Sequence, residues 1–183
     1  MSLLLCLSGQ IGSGKSSVST MVATALGWRH TGFGDYLRSE IIQLGGDPDD
    51  RKALQDLGQA HVGTDPTAFC RQVLAAGNFH PGDDFVIDGI RHVGIFDILR
   101  ALSIPSQARL LFLGAREATR IARVETRDDA QDFGRASAHR VEAELHEALP
   151  SRADVVINAD RSLDRVVADC LEQIEHWRQY PRP

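Results

Sequence analysis

The sequence predicts an α/β fold in three layers, a five-stranded parallel sheet with helices on both faces. Three observations carry that prediction. A strand-length apolar run, Leu3-Leu4-Leu5-Cys6-Leu7, leads into a glycine-rich loop and then into a segment with helical apolar spacing. Short apolar runs and amphipathic stretches alternate through the rest of the chain, which implies strands joined by helical crossovers. Glycines and prolines fall singly between these segments, with no internal repeat, low-complexity tract or linker. The 183 residues therefore read as one domain, 1–183, long enough to bury about 70 % of the surface of its unfolded chain.

The elements follow in order. After the first strand and loop, Val18, Met21, Val22, Ala25 and Leu26 define a helix that Gly27 is placed to end. Trp28 to Thr31 forms a weak second strand. Asp35 is placed to cap a helix carrying Tyr36, Leu37, Ile41, Ile42 and Leu44, stopped by Gly45-Gly46. A further helix starts near Asp49, with Ala53, Leu54, Leu57, Ala60 and His61 on one face. The next has Asp65 at its N-cap and Pro66 at its first position. Strands are predicted at Phe85–Asp88, Ala108–Leu113 and Asp154–Ile157, with an amphipathic helix over 93–102 between the first two. A basic helix over 116–127, an acidic mobile turn over 128–134 and a helix over 136–149 precede the last strand. Ser162 caps a terminal helix whose apolar side carries Leu163, Val166, Val167, Cys170, Leu171, Ile174 and Trp177.

Composition narrows the class. The chain is 43 % hydrophobic and 25 % charged, with mean hydropathy −0.19, and no apolar run approaches the roughly 20 residues of a membrane span. A membrane role is not expected. Cys6, Cys70 and Cys170 are odd in number, far apart and set among apolar residues, which suggests neither a disulfide framework nor a zinc site and points to a cytoplasmic location. A net charge of −5 argues against binding a nucleic-acid polymer. Of the 20 basic residues only Lys15 and Lys52 are lysine, and the arginine excess suits bidentate contact with phosphate. Monomer and homodimer both remain open.

The glycine loop is Gly9-Gln10-Ile11-Gly12-Ser13-Gly14-Lys15-Ser16, a glycine, four residues, Gly, Lys and a hydroxyl residue, which is the P-loop pattern. Its glycines let the backbone curl so that successive N–H groups and a helix N-terminus converge on a phosphate chain. Gly9, Gly12, Ser13, Gly14, Lys15, Ser16 and Ser17 are the candidate nucleotide contacts. Lys15 would reach the β- and γ-phosphates of ATP, and the Ser16 hydroxyl would ligate Mg2+. No Asn-Lys-x-Asp or Thr-Lys-x-Asp motif is present, which disfavours a GTPase, and the chain is too short for most motor modules. A small kinase remains, moving a γ-phosphoryl group to a bound acceptor.

Gly34-Asp35-Tyr36-Leu37-Arg38 and Asp88-Gly89-Ile90-Arg91 resemble segments of the nucleoside monophosphate kinase family, adenylate kinase included. The resemblance follows motif order over most of the chain and implies a three-layer P-loop kinase fold. Asp88 and Arg91 are one residue closer than in adenylate kinase and a proline is missing. The resemblance implies that Arg38 and Arg91 clamp an acceptor phosphate, that Asp88 holds magnesium through water, and that Asp35 does likewise or takes a proton from a hydroxyl acceptor. It also implies a lid over about 116–135. There Arg120 and Arg123 would contact phosphate, and Arg116 or Arg127 would stack on the adenine. The absence of a cysteine cluster excludes a zinc-bearing lid.

Residues of about 35–80 would form the acceptor-binding insert. Its segment Arg51 to Gly58 looks like part of phage-type deoxynucleoside monophosphate kinases, with Arg51, Gln55 and Arg71 as candidate acceptor contacts. Val155 to Asp160 resembles the adenine-contacting strand and loop of adenylate kinase-like and dephospho-coenzyme A kinase-like proteins, with Asn158 and Ala159 as base contacts. The expected partner is a small phosphate-bearing acceptor, a nucleoside or deoxynucleoside monophosphate. Dephospho-coenzyme A is the rival acceptor, although Phe33-Gly34-Asp35 stands where its kinases carry Asp-Ala-Asp. A regulatory module that binds ATP without transfer is the rival class. His61, His80 and His92 share no metal-ligand spacing.

Overall fold

The computed structural model describes residues 1–125 and 147–180. Five strands, β1 (Leu3–Gly9), β2 (Arg29–Gly32), β3 (Phe85–Ile90), β4 (Gln107–Gly114) and β5 (Val155–Asn158), form one sheet in the order β2-β3-β1-β4-β5. Every neighbouring pair is parallel. Helices α1 (Lys15–Leu26), α2 (Phe33–Gln43), α3 (Arg51–Thr64), α4 (Pro66–Ala76), α5 (Val93–Leu102), α6 (Glu117–Glu125), α7 (Ala148–Arg152) and α8 (Leu163–Gln179) connect or follow the strands.

Side-chain alternation along β1 feeds two cores. Leu4 and Cys6 pack with Phe33, Leu37, Phe69, Val73, Ile95 and Leu99 on one face. Leu3, Leu5 and Leu7 pack with Val18, Val22, Val167, Ile174 and Trp177 on the other. Both faces of the sheet are thus covered, the condition under which an all-parallel sheet is stable. Because β1 lies between β3 and β4, the chain leaves it toward β2 and later returns past it to β4. The crevice at the carboxyl ends of β1 and β3 is such a switch point, where α/β sheets place ligands.

Several local expectations shift by a few residues. Helix α2 begins at Phe33 with Gly32 at its N-cap, so Asp35 lies in the first turn rather than at the cap. There its charge still complements the helix dipole. The buried stripe of α2 is Phe33, Leu37 and Ile41, whereas Ile42 and Leu44 are exposed. Asp50 caps α3 by accepting from the Ala53 N–H, close to the expected start, and Ala60 is exposed. Asp65 and Pro66 start α4 as the sequence indicates. Ser162 stands at the N-cap of α8 but makes no side-chain capping bond. Arg127, the turn over 128–134 and most of the helix over 136–149 lie outside the described residues. No helix among the described residues is long and apolar enough to cross a membrane.

The edge between β4 and β5 is held by charge as well as backbone. Asp154 accepts from the Leu110 N–H at 2.9 Å and from Arg109 at 3.2 Å, and Arg109 is buried beside Trp177. Removing one member of a buried pair strands the other. Asp154→Ala should therefore destabilise the fold by about 3 kcal/mol and lower Tm by about 10 °C. Thermal unfolding followed by circular dichroism checks this, and a shift under about 3 °C would contradict it.

Candidate active site

The loop after β1 carries glycines where the backbone demands them. Gly12 and Gly14 have φ of 82° and 85°, in the left-handed region that side chains disfavour. Gly14 stands at the N-cap of α1, so Lys15 and Ser16 occupy its first turn, where orphan N–H groups favour anions. Lys15 and Ser16 open into a cavity of about 230 Å3. Gly12 and Ile11 also line it, while Gly9, Ser13, Gly14 and Ser17 shape the loop without lining it. The Ser13 hydroxyl is buried and has no hydrogen-bond partner among the described residues, a polar group still to be satisfied in the phosphate cradle.

The cavity's other wall comes from the segments expected to hold an acceptor. Asp35 and Arg38 from α2, Arg51 and Gln55 from α3, and Asp88 and Arg91 from the end of β3 all line it. Arg38 donates to Asp35 at 3.1 Å. Arg51 and Arg91 each engage neighbouring groups as well. Phe33, Leu37, Leu54, Val62, Phe69 and Ile95 add an apolar floor. The space therefore combines a loop built for phosphate, three arginines and an apolar shelf.

Asp88 pairs in register with Leu7 of β1, two residues before the loop begins, and is 5 % exposed. Burial alone would raise its pKa. The His30 imidazole beside it, the Ser19 hydroxyl that donates to it and the nearby Lys15 charge outweigh that and hold the carboxyl below its ordinary value. The group thus stays ionised at neutral and mildly acidic pH. Gly32 has ordinary extended backbone, but a Cβ there would come within 2.6 Å of Asp88 Oδ1 and 3.2 Å of Asp35 Oδ2. The missing side chain lets both carboxylates turn toward one space.

Other expected contacts take different places. Arg71 is exposed on α4 and does not line the cavity, because the neighbouring Phe69, Cys70, Val73 and Leu74 take the buried side of that helix. Arg120 is buried and donates to the Ile11 carbonyl at 3.2 Å. Arg123 donates to the Ala159 carbonyl at 2.8 Å and more weakly to Ser13 at 3.4 Å and Arg161 at 3.3 Å. Both arginines hold α6 against the loop's backbone rather than lining the cavity. Arg116 is exposed and pairs with Asp160 at 3.0 Å. Asn158 Oδ1 accepts from the Asp160 N–H at 3.0 Å, and Ala159 is buried, so these two build the turn after β5.

Four residues that line the cavity or support it lacked a sequence signal strong enough to single them out. Gln59 and His92 line it. Gln59 lies one helical turn from Gln55 and His92 directly follows Arg91, the hints available in the sequence. Ser19 and His30 reach Asp88 only because α1 and β2 pack beside β3. His61 is structural: it meets Glu40 at 2.8 Å and stacks on Phe69 at 4.5 Å. His80 lies 3.5 Å from Asp83.

No family model matches the chain. It is 32 % identical over 104 residues to a UPF0200 protein of Aeropyrum pernix, the aligned part covering 53 % of this chain and 51 % of that protein. The chain thus spans about half the length of the curated relative it matches. Among solved structures it resembles shikimate kinase from Bacteroides thetaiotaomicron, with TM-score 0.59 and 13 % identity over 94 % of this chain and 98 % of the other. It also resembles shikimate kinase from Aquifex aeolicus, with TM-score 0.54 and 14 % identity over 96 % and 98 % of the two chains. The five-stranded parallel sheet, its two helical layers and these likenesses establish the three-layer P-loop kinase fold.

Proposed function

We propose that the protein is an ATP-dependent kinase that transfers a phosphoryl group to a small phosphate-bearing acceptor, a nucleoside or deoxynucleoside monophosphate. One observation carries the reading: Lys15 and Ser16 share a single cavity with Arg38, Arg51 and Arg91. A module that only binds ATP has no need of a second cationic wall facing the donor phosphates. The apolar floor suits a base, and the arginines suit the phosphate attached to it.

Phosphoryl transfer asks a protein mainly for positioning and for stabilisation of charge on the moving group. Lys15 and the loop N–H groups would hold the β- and γ-phosphates of ATP. Arg38 and Arg91 would place the acceptor phosphate in line for attack. That phosphate is ionised at neutral pH, so no strong base is required. The donor set for magnesium, the Ser16 hydroxyl and the ionised Asp88 carboxylate, is all oxygen and suits a hard cation. When bound, magnesium neutralises charge on the β- and γ-phosphate oxygens. Asp35 would join Asp88 in orienting the surrounding water.

ADP release measured with ATP, magnesium and a panel of nucleoside monophosphates, deoxynucleotides and dephospho-coenzyme A tests the proposal. A monophosphate should give the highest turnover, and no acceptor-dependent turnover across the panel would remove the kinase reading. Loss of a charge-assisted contact is worth about 10- to 100-fold. Arg38→Ala or Arg91→Ala should accordingly raise acceptor KM by about that factor while moving ATP KM by less than about threefold. Wild-type acceptor kinetics in both variants would overturn the acceptor assignment.

A further inference from the structure

Asp88 does not stand alone at the end of β3. Its Oδ2 atom accepts from the Ser19 hydroxyl at 2.5 Å, and His30 Nε2 lies 3.4 Å from the same oxygen without the alignment of a hydrogen bond. Ser19 is fully buried one turn into α1 and also lies 2.9 Å from the Ser16 carbonyl. A hydroxyl has one proton to give, and an ionised carboxylate is the stronger acceptor. The shorter contact is the one to Asp88. With Oδ2 engaged by Ser19, Oδ1 is the oxygen turned toward the space above Gly32, where Asp35 also points.

We infer that Ser19 is a positioning residue, which fixes the Asp88 carboxylate so that Oδ1, and not Oδ2, faces the divalent cation of the bound nucleotide. This rests on the kinase reading for the identity of the ligand, but not on any acceptor. The arrangement ties the first turn of the phosphate-binding helix to the acid on the neighbouring strand through one buried hydroxyl. A carboxylate free to rotate would present either oxygen, and the cation's water shell would lose a fixed partner. His30, on the edge strand, stands 3.4 Å from the same oxygen.

The readout is the ratio of affinities for a fluorescent ATP analogue with magnesium and with EDTA, measured on the full chain. Ser19→Ala should cut that ratio by about tenfold while leaving the affinity in EDTA within about twofold of wild type. A role confined to holding the first turn of α1 would instead weaken binding equally in both conditions and leave the ratio unmoved. Ser19→Cys, nearly isosteric but a weak donor, should fall between, and it serves where the alanine variant does not fold. A ratio within about twofold of wild type in either variant would overturn the inference. So would a wild-type protein whose analogue affinity ignores magnesium. Failure of the acceptor panel alone, with the ratio lost in Ser19→Ala, would sink the kinase reading and leave the role of Ser19 standing.

Discussion

Lys15→Ala is expected to lower kcat for ADP release by about 1,000-fold or more, with the melting temperature changed by only a few degrees. Lys15 lines the same cavity as Arg38 and Arg91, and its ammonium is the one positive side chain that the loop pattern itself supplies. Removing a single preorganised donor aimed at developing charge costs about 100- to 1,000-fold in rate. Here the lost group is a full charge, so the upper end applies. A variant retaining a tenth of wild-type kcat would exclude Lys15 from the reaction.

The residues that could be read from sequence are those whose partners lie close along the chain. The loop, its flanking strand and its helix form one contiguous segment, and the spacing of Gly9, Gly12, Gly14 and Lys15 fixes their geometry almost without help from elsewhere. Asp65 and Pro66 are equally local and equally legible. β2 is weak in sequence because it is a four-residue edge strand, Arg29–Gly32, with only Gly32 buried. Little hydrophobic patterning survives in so short a piece. Arg71 lies outside the cavity lining because helical phase, not residue type, decides which side chain reaches a cavity. A one-residue difference from Cys70 turns it to solvent. Arg120 and Arg123 show a third limit. Their spacing displays a basic stripe, but whether such a stripe meets a ligand or a backbone carbonyl depends on the packing of α6 against a loop more than a hundred residues earlier. Ser19 and His30 carry no sequence signal for the same reason, since His30 reaches Asp88 through the register of β2 on β3 and Ser19 through the packing of α1 against β3.

That packing of α6 on the loop makes Gly12 the most demanding glycine among the described residues. Its φ of 82° already costs another residue about 1–2 kcal/mol. A Cβ there would stand 2.5 Å from the Arg120 carbonyl oxygen and 3.0 Å from that residue's carbonyl carbon and Cα. These are backbone atoms of a helix anchored by Arg120 on Ile11 and by Arg123 on Ser13 and Ala159, so no rotamer change relieves the contact. Either the loop opens or α6 lifts away, and both break the arginine bonds that hold the two together. Gly12→Ala should therefore cost about 3 kcal/mol of stability and weaken binding of a fluorescent ATP analogue by at least about tenfold. Gly63→Ala supplies the contrast. Gly63 lies within α3, is exposed and has no atom within 4 Å of its Cβ position, so alanine there should stabilise the protein by about 0.5–1 kcal/mol. If Gly12→Ala bound the analogue like wild type and melted with Gly63→Ala, α6 could not be resting on the phosphate loop as tightly as these distances require.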